Sequence, residues 1–198
     1  MRQTIKVNEE VFPGYASMLN MAIGALTKDN LKIVVRGREN RKNNLTPIER
    51  YDLNFYIGGT LQGATVFMGT YTEDDLRNAI ANTERSAILG SLIDILEDGG
   101  VPVDEWEPDG SPVTVLTTRG GMEGAGVIYC DTILEKIWKK VGDFYILPSS
   151  IHEVLVVPVS EGIDRTELEA MVRTINRDEV ALDDRLSDRV YLFDGTLH

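Results

Sequence analysis

The sequence predicts an α+β protein, and three observations support this fold class. Apolar residues recur at three- and four-residue steps in some segments and alternate in others, which is typical of helices mixed with strands. The 198 residues are 42% hydrophobic and 26% charged, as in ordinary globular proteins. In the second half, short strands and helices follow one another in the order ββαββαβ. We therefore expect a mostly antiparallel sheet with helices packed on one face.

The N-terminal part predicts one helix followed by three strands. Residues 13–26 are expected to be helical, because their apolar side chains recur at helical spacing and Pro13 suits a first turn. Residues 31–38, which are rich in Ile and Val, are expected to form a strand. Residues 51–60 and 64–70 are expected to form a hairpin that turns at Gln62 and Gly63.

A second helix is expected to begin after Thr72. This residue suits the N-cap position, and the three acidic residues that follow it favour the positive end of a helix dipole. Apolar residues at helical spacing continue to Gly99 and Gly100, although Gly90 either bends this helix or divides it in two.

The stretch 99–112 is rich in Gly, Pro and acidic residues and is expected to be a connector. It separates an N-terminal part, 1–98, from a C-terminal part, 113–198, and these parts form either two domains or one. Trp106 in the connector is open to two interpretations: an exposed contact for a partner, or a side chain that packs the connector onto the core.

The C-terminal part contains all the elements of the predicted ββαββαβ order. The expected strands are 113–118, 124–129, 144–147, 153–159 and 189–193, and the expected helices are 131–141 and 164–175.

Charge argues against general nucleic-acid binding. The net charge of −12 and the pI near 4.6 repel polyanions. Basic residues outnumber acids only in one stretch, which is either a small anion-contacting patch or, as we favour, a solvated surface; it comprises Lys28, Lys32, Arg36, Arg38, Arg41, Lys42 and Arg50.

The single cysteine, Cys130, cannot form an internal disulfide, which fits a reducing compartment. The N-terminus lacks the apolar core of a signal peptide, and no stretch approaches the roughly 20 apolar residues of a membrane span. We therefore expect a cytoplasmic protein without membrane insertion.

The most reactive residues of the sequence lie in and near the segment 148–153. It holds Ser149, Ser150, His152 and Glu153. If strands 124–129 and 144–147 were parallel, their carboxyl ends would share one edge of the sheet and bring Cys130 near His152. A thiolate at a helix N-terminus beside an imidazole is the arrangement of a nucleophile.

In this hypothesis Ser149 or Ser150 is an alternative nucleophile, and Glu153 or Asp131 orients the imidazole. We favour the simpler interpretation, in which the segment is a hairpin turn and Cys130 packs as a small apolar residue.

No metal or cofactor site is expected. Only two histidines are present, and no DxDxDG loop occurs. The glycine-rich segment 119–126 lacks the lysine and hydroxyl residue of a Walker A loop and is expected to join two strands.

Four segments of the C-terminal part carry a resemblance to a known family. They are VTVLTTRGGMEGAGVIY (113–129), DFYILPSSIHEVLVVP (143–158), LEAMVRTIN (168–176) and LSDRVYLF (186–193). In these segments the chain resembles a family of uncharacterised bacterial proteins known as a domain of unknown function. The resemblance implies no activity, ligand or catalytic residue.

Two functions are compatible with these features. We favour a non-catalytic module that binds an unknown protein partner through a shallow face or an edge strand. The alternative is a thiol-type hydrolase or transferase that uses Cys130 and His152. The sequence leaves open whether the protein is an enzyme.

Overall fold

The structure is a computed structural model that describes residues 24–61 and 63–198. Most of the expected helix 13–26 and the expected turn residue Gln62 lie outside the described residues.

The first sheet is built around strand β3 (Leu53–Leu61). Strand β3 pairs in antiparallel orientation with three strands, β1 (Lys32–Arg36), β2 (Ile48–Arg50) and β4 (Ala64–Phe67). The predicted strand 31–38 and the predicted hairpin are confirmed. The β2–β3 turn consists of Tyr51 and Asp52, whose φ angles of 56° and 59° place both residues in the left-handed region.

Helix α1 (Glu73–Ser86) begins where the sequence predicts. The Thr72 side chain accepts a hydrogen bond from the backbone N–H of Asp75, and the Asp75 carboxylate accepts one from the backbone N–H of Thr72. The helix is anchored to β1 because the buried Thr83 hydroxyl accepts a hydrogen bond from Ile33 N at 3.0 Å.

The prediction of one long helix after Thr72 is wrong beyond Ser86. Strand β5 (Ala87–Gly90) follows directly, all four of its residues are buried, and a short helix α2 (Leu92–Glu97) follows β5. Four buried residues in a row are typical of a strand inside a sheet, where pairing on both sides supplies the backbone hydrogen bonds that a helix would otherwise supply. Gly90 is the last residue of this strand, so the helix ends before the glycine at which the sequence placed a bend or a division.

The second sheet has six strands and is antiparallel throughout. It contains β5 together with β6 (Val101–Pro102), β7 (Thr114–Thr118), β8 (Phe144–Leu147), β9 (Val154–Pro158) and β10 (Tyr191–Phe193). The strand order is β10-β8-β9-β7-β5-β6, so β6, which lies within the predicted connector, is an edge strand. The α+β class and the antiparallel sheet are confirmed.

The predicted strand 124–129 is wrong, because Gly124–Tyr129 forms a 3₁₀ helix. This segment runs so close to β1 that a Cβ atom on Gly126 would lie 2.1 Å from the carbonyl oxygen of Ile33. Gly126 permits this close approach because it has no side chain, whereas the sequence pattern of small and apolar residues does not distinguish the segment from a strand.

The two long helices of the C-terminal part lie on opposite faces of the second sheet, so the prediction that both pack on one face is wrong. Helix α3 (Asp131–Val141) packs its buried Ile133, Leu134 and Ile137 in the same cluster as Phe144 and Ile146. Helix α4 (Arg165–Asp178) packs in a second cluster, which contains Leu147, Val157, Leu168, Val172 and Val190. Because neighbouring residues of a strand point to opposite faces, Ile146 of β8 lies in the first cluster and Leu147 of β8 in the second.

The main core is shared by both sheets. Its cluster of buried residues includes Ile33 and Phe55 from the first sheet and Leu116 and Val156 from the second. Trp106 is 7% exposed and belongs to the same cluster, and its carbonyl oxygen accepts a hydrogen bond from the Lys140 ammonium. This burial favours packing of the connector over an exposed contact.

Candidate functional site

The serine and histidine segment closes a hairpin. Strands β8 and β9 are antiparallel neighbours, with Leu147 opposite Leu155, and residues 148–153 connect them. Ser149 and Ser150 are buried, whereas His152 and Glu153 are partly exposed. The sequence therefore predicted the turn correctly.

This turn is held by the segment 184–187, which includes the start of the LSDRVYLF motif. Ile151 N donates to Asp184 O at 2.9 Å, Leu186 N donates to Ser149 O at 3.2 Å, and Ser187 N donates to Pro148 O at 3.1 Å. The segments DFYILPSSIHEVLVVP and LSDRVYLF thus contact each other through their backbones. This pairing gives both segments a structural role.

His152 joins the turn to the glycine-rich segment. Its Nδ1 accepts a hydrogen bond from Glu123 N at 3.3 Å, and its Nε2 lies 3.9 Å from an Asp184 carboxylate oxygen. Its carbonyl oxygen accepts a hydrogen bond from the Thr117 hydroxyl at 2.7 Å. Because Nδ1 accepts, the neutral imidazole carries its proton on Nε2, towards Asp184. The Ser150 hydroxyl accepts from His152 N at 3.0 Å and so stabilises the turn itself.

Cys130 lies in a different environment. It occupies the N-cap position of α3 and is 2% exposed, and its side chain caps no backbone group of the helix. Burial, with smaller contributions from Glu84 and Asp131, raises the pKa of the thiol to about 12. A nucleophile at a helix N-terminus needs a shift in the opposite direction.

The geometric premise that placed Cys130 near His152 is also wrong. It required parallel strands at 124–129 and 144–147, but the first of these segments is a 3₁₀ helix and all pairs of the second sheet are antiparallel. Asp131, expected to orient the imidazole, instead accepts two hydrogen bonds from Arg50, at 2.7 and 2.8 Å.

Sequence reasoning missed a buried ion pair between the two halves of the chain. Arg36 and Glu123 are each 5% exposed and form a bidentate pair, in which Arg36 Nη2 donates to Glu123 Oε1 at 2.6 Å. The Thr65 hydroxyl donates to the same oxygen at 2.8 Å, and the Arg36 guanidinium lies 5.0 Å from the centre of the Phe67 ring. The partners are 87 residues apart, so no local pattern links them.

The largest exposed apolar side chains of the described residues include three on α2. Leu92, Ile93 and Leu96 are 60%, 65% and 75% exposed, and α2 has no buried residue. Leu96 also lines a groove of about 690 Å³ between α2 and the glycines at 120–121. Val101, on the neighbouring edge strand β6, is 38% exposed. We call Leu92, Ile93, Leu96 and Val101 the α2 surface.

The basic stretch of the sequence is divided between two places. Arg36 is buried with Glu123, and Lys32 donates to the carbonyl oxygen of Met122 at 2.9 Å, where burial lowers the lysine pKa. Arg38, Arg41 and Arg50 line a separate cavity of about 460 Å³, which we call the arginine cleft.

Within residues 24–61 and 63–198, no three His, Cys, Asp or Glu side chains converge as metal ligands would. The same part of the chain contains no helix with the length and hydropathy needed to cross a bilayer.

No curated protein and no solved structure matches the chain. A family model matches residues 68–195. This range is wider than that of the four motifs and runs from the residues before α1 to just after β10. The chain belongs to the family of unknown function DUF5688.

Proposed function

We propose that this protein is a non-catalytic interaction module that binds a protein partner through the α2 surface. The partner presents an apolar contact surface flanked by lysine or arginine. The observation that carries the proposal is the exposure of three large apolar side chains on one six-residue helix.

Exposure of these apolar side chains to water is unfavourable, and a partner that buries them removes this free-energy cost. Burying a Leu or Ile side chain contributes about 1.5–3 kcal/mol, so Leu92, Ile93 and Leu96 together offer a substantial contact energy. A helix of six residues is not stable by itself in water and depends on its attachment to the sheet. Contiguous apolar side chains on such an element are typical of a protein-binding surface.

The charges around the α2 surface determine the kind of partner. Asp94, Glu97 and Asp98 are exposed on or next to α2, and the whole chain carries a net charge of −12. A second copy of the chain or an anionic lipid surface would bring like charges together, which is unfavourable. A basic rim on the partner complements these acids and speeds association.

Photo-crosslinking in the native host tests this proposal. The photoreactive amino acid p-benzoylphenylalanine replaces Ile93 in one variant and Leu182 in the control, because Leu182 is 71% exposed outside the α2 surface. We expect a discrete crosslinked protein from position 93 that position 182 does not give.

The captured protein is then purified and titrated against the wild type and two variants. Leu92→Gln combined with Leu96→Gln should weaken binding by about 30-fold or more, since loss of central apolar contacts costs about 2 kcal/mol or more. Leu182→Gln should bind as the wild type does. Crosslinks only to a second copy or to lipid, or equal binding by all variants, would contradict the proposal.

The alternative function is a thiol-type hydrolase or transferase that uses Cys130 and His152, with Ser149, Ser150 or Glu153 in support. Burial of the thiol, its raised pKa and the failure of the parallel-strand premise all count against it. The reactivity of Cys130, considered in the Discussion, tests this hypothesis directly.

A further inference from the structure

We propose that the arginine cleft binds the phosphate group of a small phosphorylated molecule. The cleft lies between the loop that follows β1 and the β2–β3 hairpin, and it is separate from the α2 surface. Its volume of about 460 Å³ is within the range of small-molecule sites, about 300–1,000 Å³.

One arginine of the cleft is held rigidly. Arg50 donates two hydrogen bonds to the Asp131 carboxylate and a third to Tyr129 O at 3.1 Å. Its guanidinium also lies 4.4 Å from the ring centre of Tyr51 and 5.4 Å from that of Tyr129. These contacts fix the position of one positive charge without movement of the side chain, which is the preorganisation that a binding site needs.

The other two arginines are exposed and can turn towards a ligand. The Arg38 and Arg41 side chains are 77% and 50% exposed, and each forms one ion pair at 3.1 Å, with Asp52 and Glu49. Exposed ion pairs of this kind are weak. A phosphate group, which accepts bidentate hydrogen bonds from guanidinium groups, competes well against a single carboxylate contact.

The charge balance of the cleft favours an anion. The cleft is lined by three arginines and by two carboxylates, those of Glu49 and Asp52. Outside this lining Arg189 pairs with Asp52 and Asp131 pairs with Arg50, so one positive charge remains in excess in a protein of net charge −12. The negative charge of the rest of the chain repels a long polyanion but leaves a small phosphorylated molecule able to bind.

Calorimetric titration with pyrophosphate tests the proposal on the full chain. Arg41→Gln should weaken binding at least 10-fold, because it removes one of the two movable donors. The matched control is Arg77→Gln, since Arg77 is also exposed and paired with acids, Glu73 and Asp74, on α1. The control should bind pyrophosphate as the wild type does.

A third variant changes affinity in the opposite direction. Glu49→Gln releases Arg41 from its ion pair and removes a negative charge from the cleft, so it should tighten pyrophosphate binding several-fold. A purely structural role of these residues predicts no such gain. All the substituted side chains are exposed, and a thermal unfolding curve for each variant shows that it is folded.

Three results would overturn the proposal: no binding of pyrophosphate by the wild type, equal affinity of all variants, or equal affinity for pyrophosphate and citrate. The proposal does not depend on the α2 surface. The Leu92→Gln and Leu96→Gln variant should therefore bind pyrophosphate normally even if it has lost its protein partner.

Discussion

At the scale of single residues, Cys130 is a buried neutral thiol. Because burial raises its pKa to about 12, almost no thiolate is present near neutral pH. We expect iodoacetamide to alkylate native Cys130 at least 100-fold more slowly than the same cysteine in guanidinium chloride, measured by mass spectrometry. Alkylation as fast as in a free thiol would restore the thiol-enzyme hypothesis.

The same thiol makes stability dependent on alkaline pH. The pKa is near 9 for an ordinary cysteine and about 12 in the folded protein, so the unfolded chain loses its proton first as the pH rises. The stabilisation is therefore complete below pH 9 and decreases between about pH 9 and 12, with a slope of at most about 1.4 kcal/mol per pH unit. Urea titrations at each pH should show a shallower decrease for Cys130→Ala than for the wild type.

The Arg36–Glu123 pair is the polar contact whose loss should cost most. Glu123→Gln leaves the buried Arg36 charge uncompensated, and we expect a loss of about 3–5 kcal/mol in the free energy of unfolding by urea. The added substitution Arg36→Met should recover part of this loss, because it removes the unpaired charge. The control is Arg77→Gln, which breaks an exposed ion pair and should lower the free energy of unfolding by only about 0–1 kcal/mol. If Glu123→Gln lowers it by no more than this control, the Arg36–Glu123 pair does not stabilise the fold.

At the scale of elements, the 3₁₀ helix Gly124–Tyr129 shows how a tertiary contact selects a conformation. Its Gly126 faces the backbone of Ile33, which cannot move aside as a flexible side chain would. We expect Gly126→Ala to destabilise the protein by about 1–3 kcal/mol in thermal unfolding.

The control for this substitution is Gly69→Ala. A Cβ atom at Gly69 would meet its nearest neighbour, a methyl group of Leu45, only at 4.0 Å, and the backbone there is not left-handed. It should change stability by less than about 0.5 kcal/mol. Equal effects of the two substitutions would show that the approach to β1 is not tight.

Element boundaries could be predicted where the signal is local. Thr72 and its acidic neighbours marked the start of α1, because a capping box is formed within four residues. The end of α1 was not predicted, since Ala87–Gly90 becomes a strand by pairing with β7 on one side and β6 on the other, both of which follow later in the chain. The neighbours of His152 could not be predicted for the same reason, because Glu123 and Asp184 come from distant segments of the chain.

At the scale of the whole molecule, one apolar core unites elements from both halves of the chain. Residues from β1 and β3 share a cluster with residues from β7, β8 and β9. The Arg36–Glu123 pair and the contact of Gly126 with Ile33 cross the same boundary. The connector 99–112 thus joins parts that pack against each other, and it contributes its own strand β6 and the buried Trp106.

The whole molecule also carries two surfaces of different chemistry. The α2 surface is apolar with acidic neighbours, whereas the arginine cleft is polar with an excess positive charge. A single net charge of −12 conceals this difference, because it averages over the whole surface.

The sequence alone determined the α+β class, the acidic charge, most strands, the start of α1 and the turn at 148–153, because each of these depends on residue types within a few positions. The tertiary structure decided the rest: the opposite faces taken by α3 and α4, the strand at Ala87–Gly90, the ionisation of Cys130 and the exposure of α2. Helical spacing predicts that one side of α2 is apolar, but whether a neighbouring element covers that side depends on the packing of the whole chain.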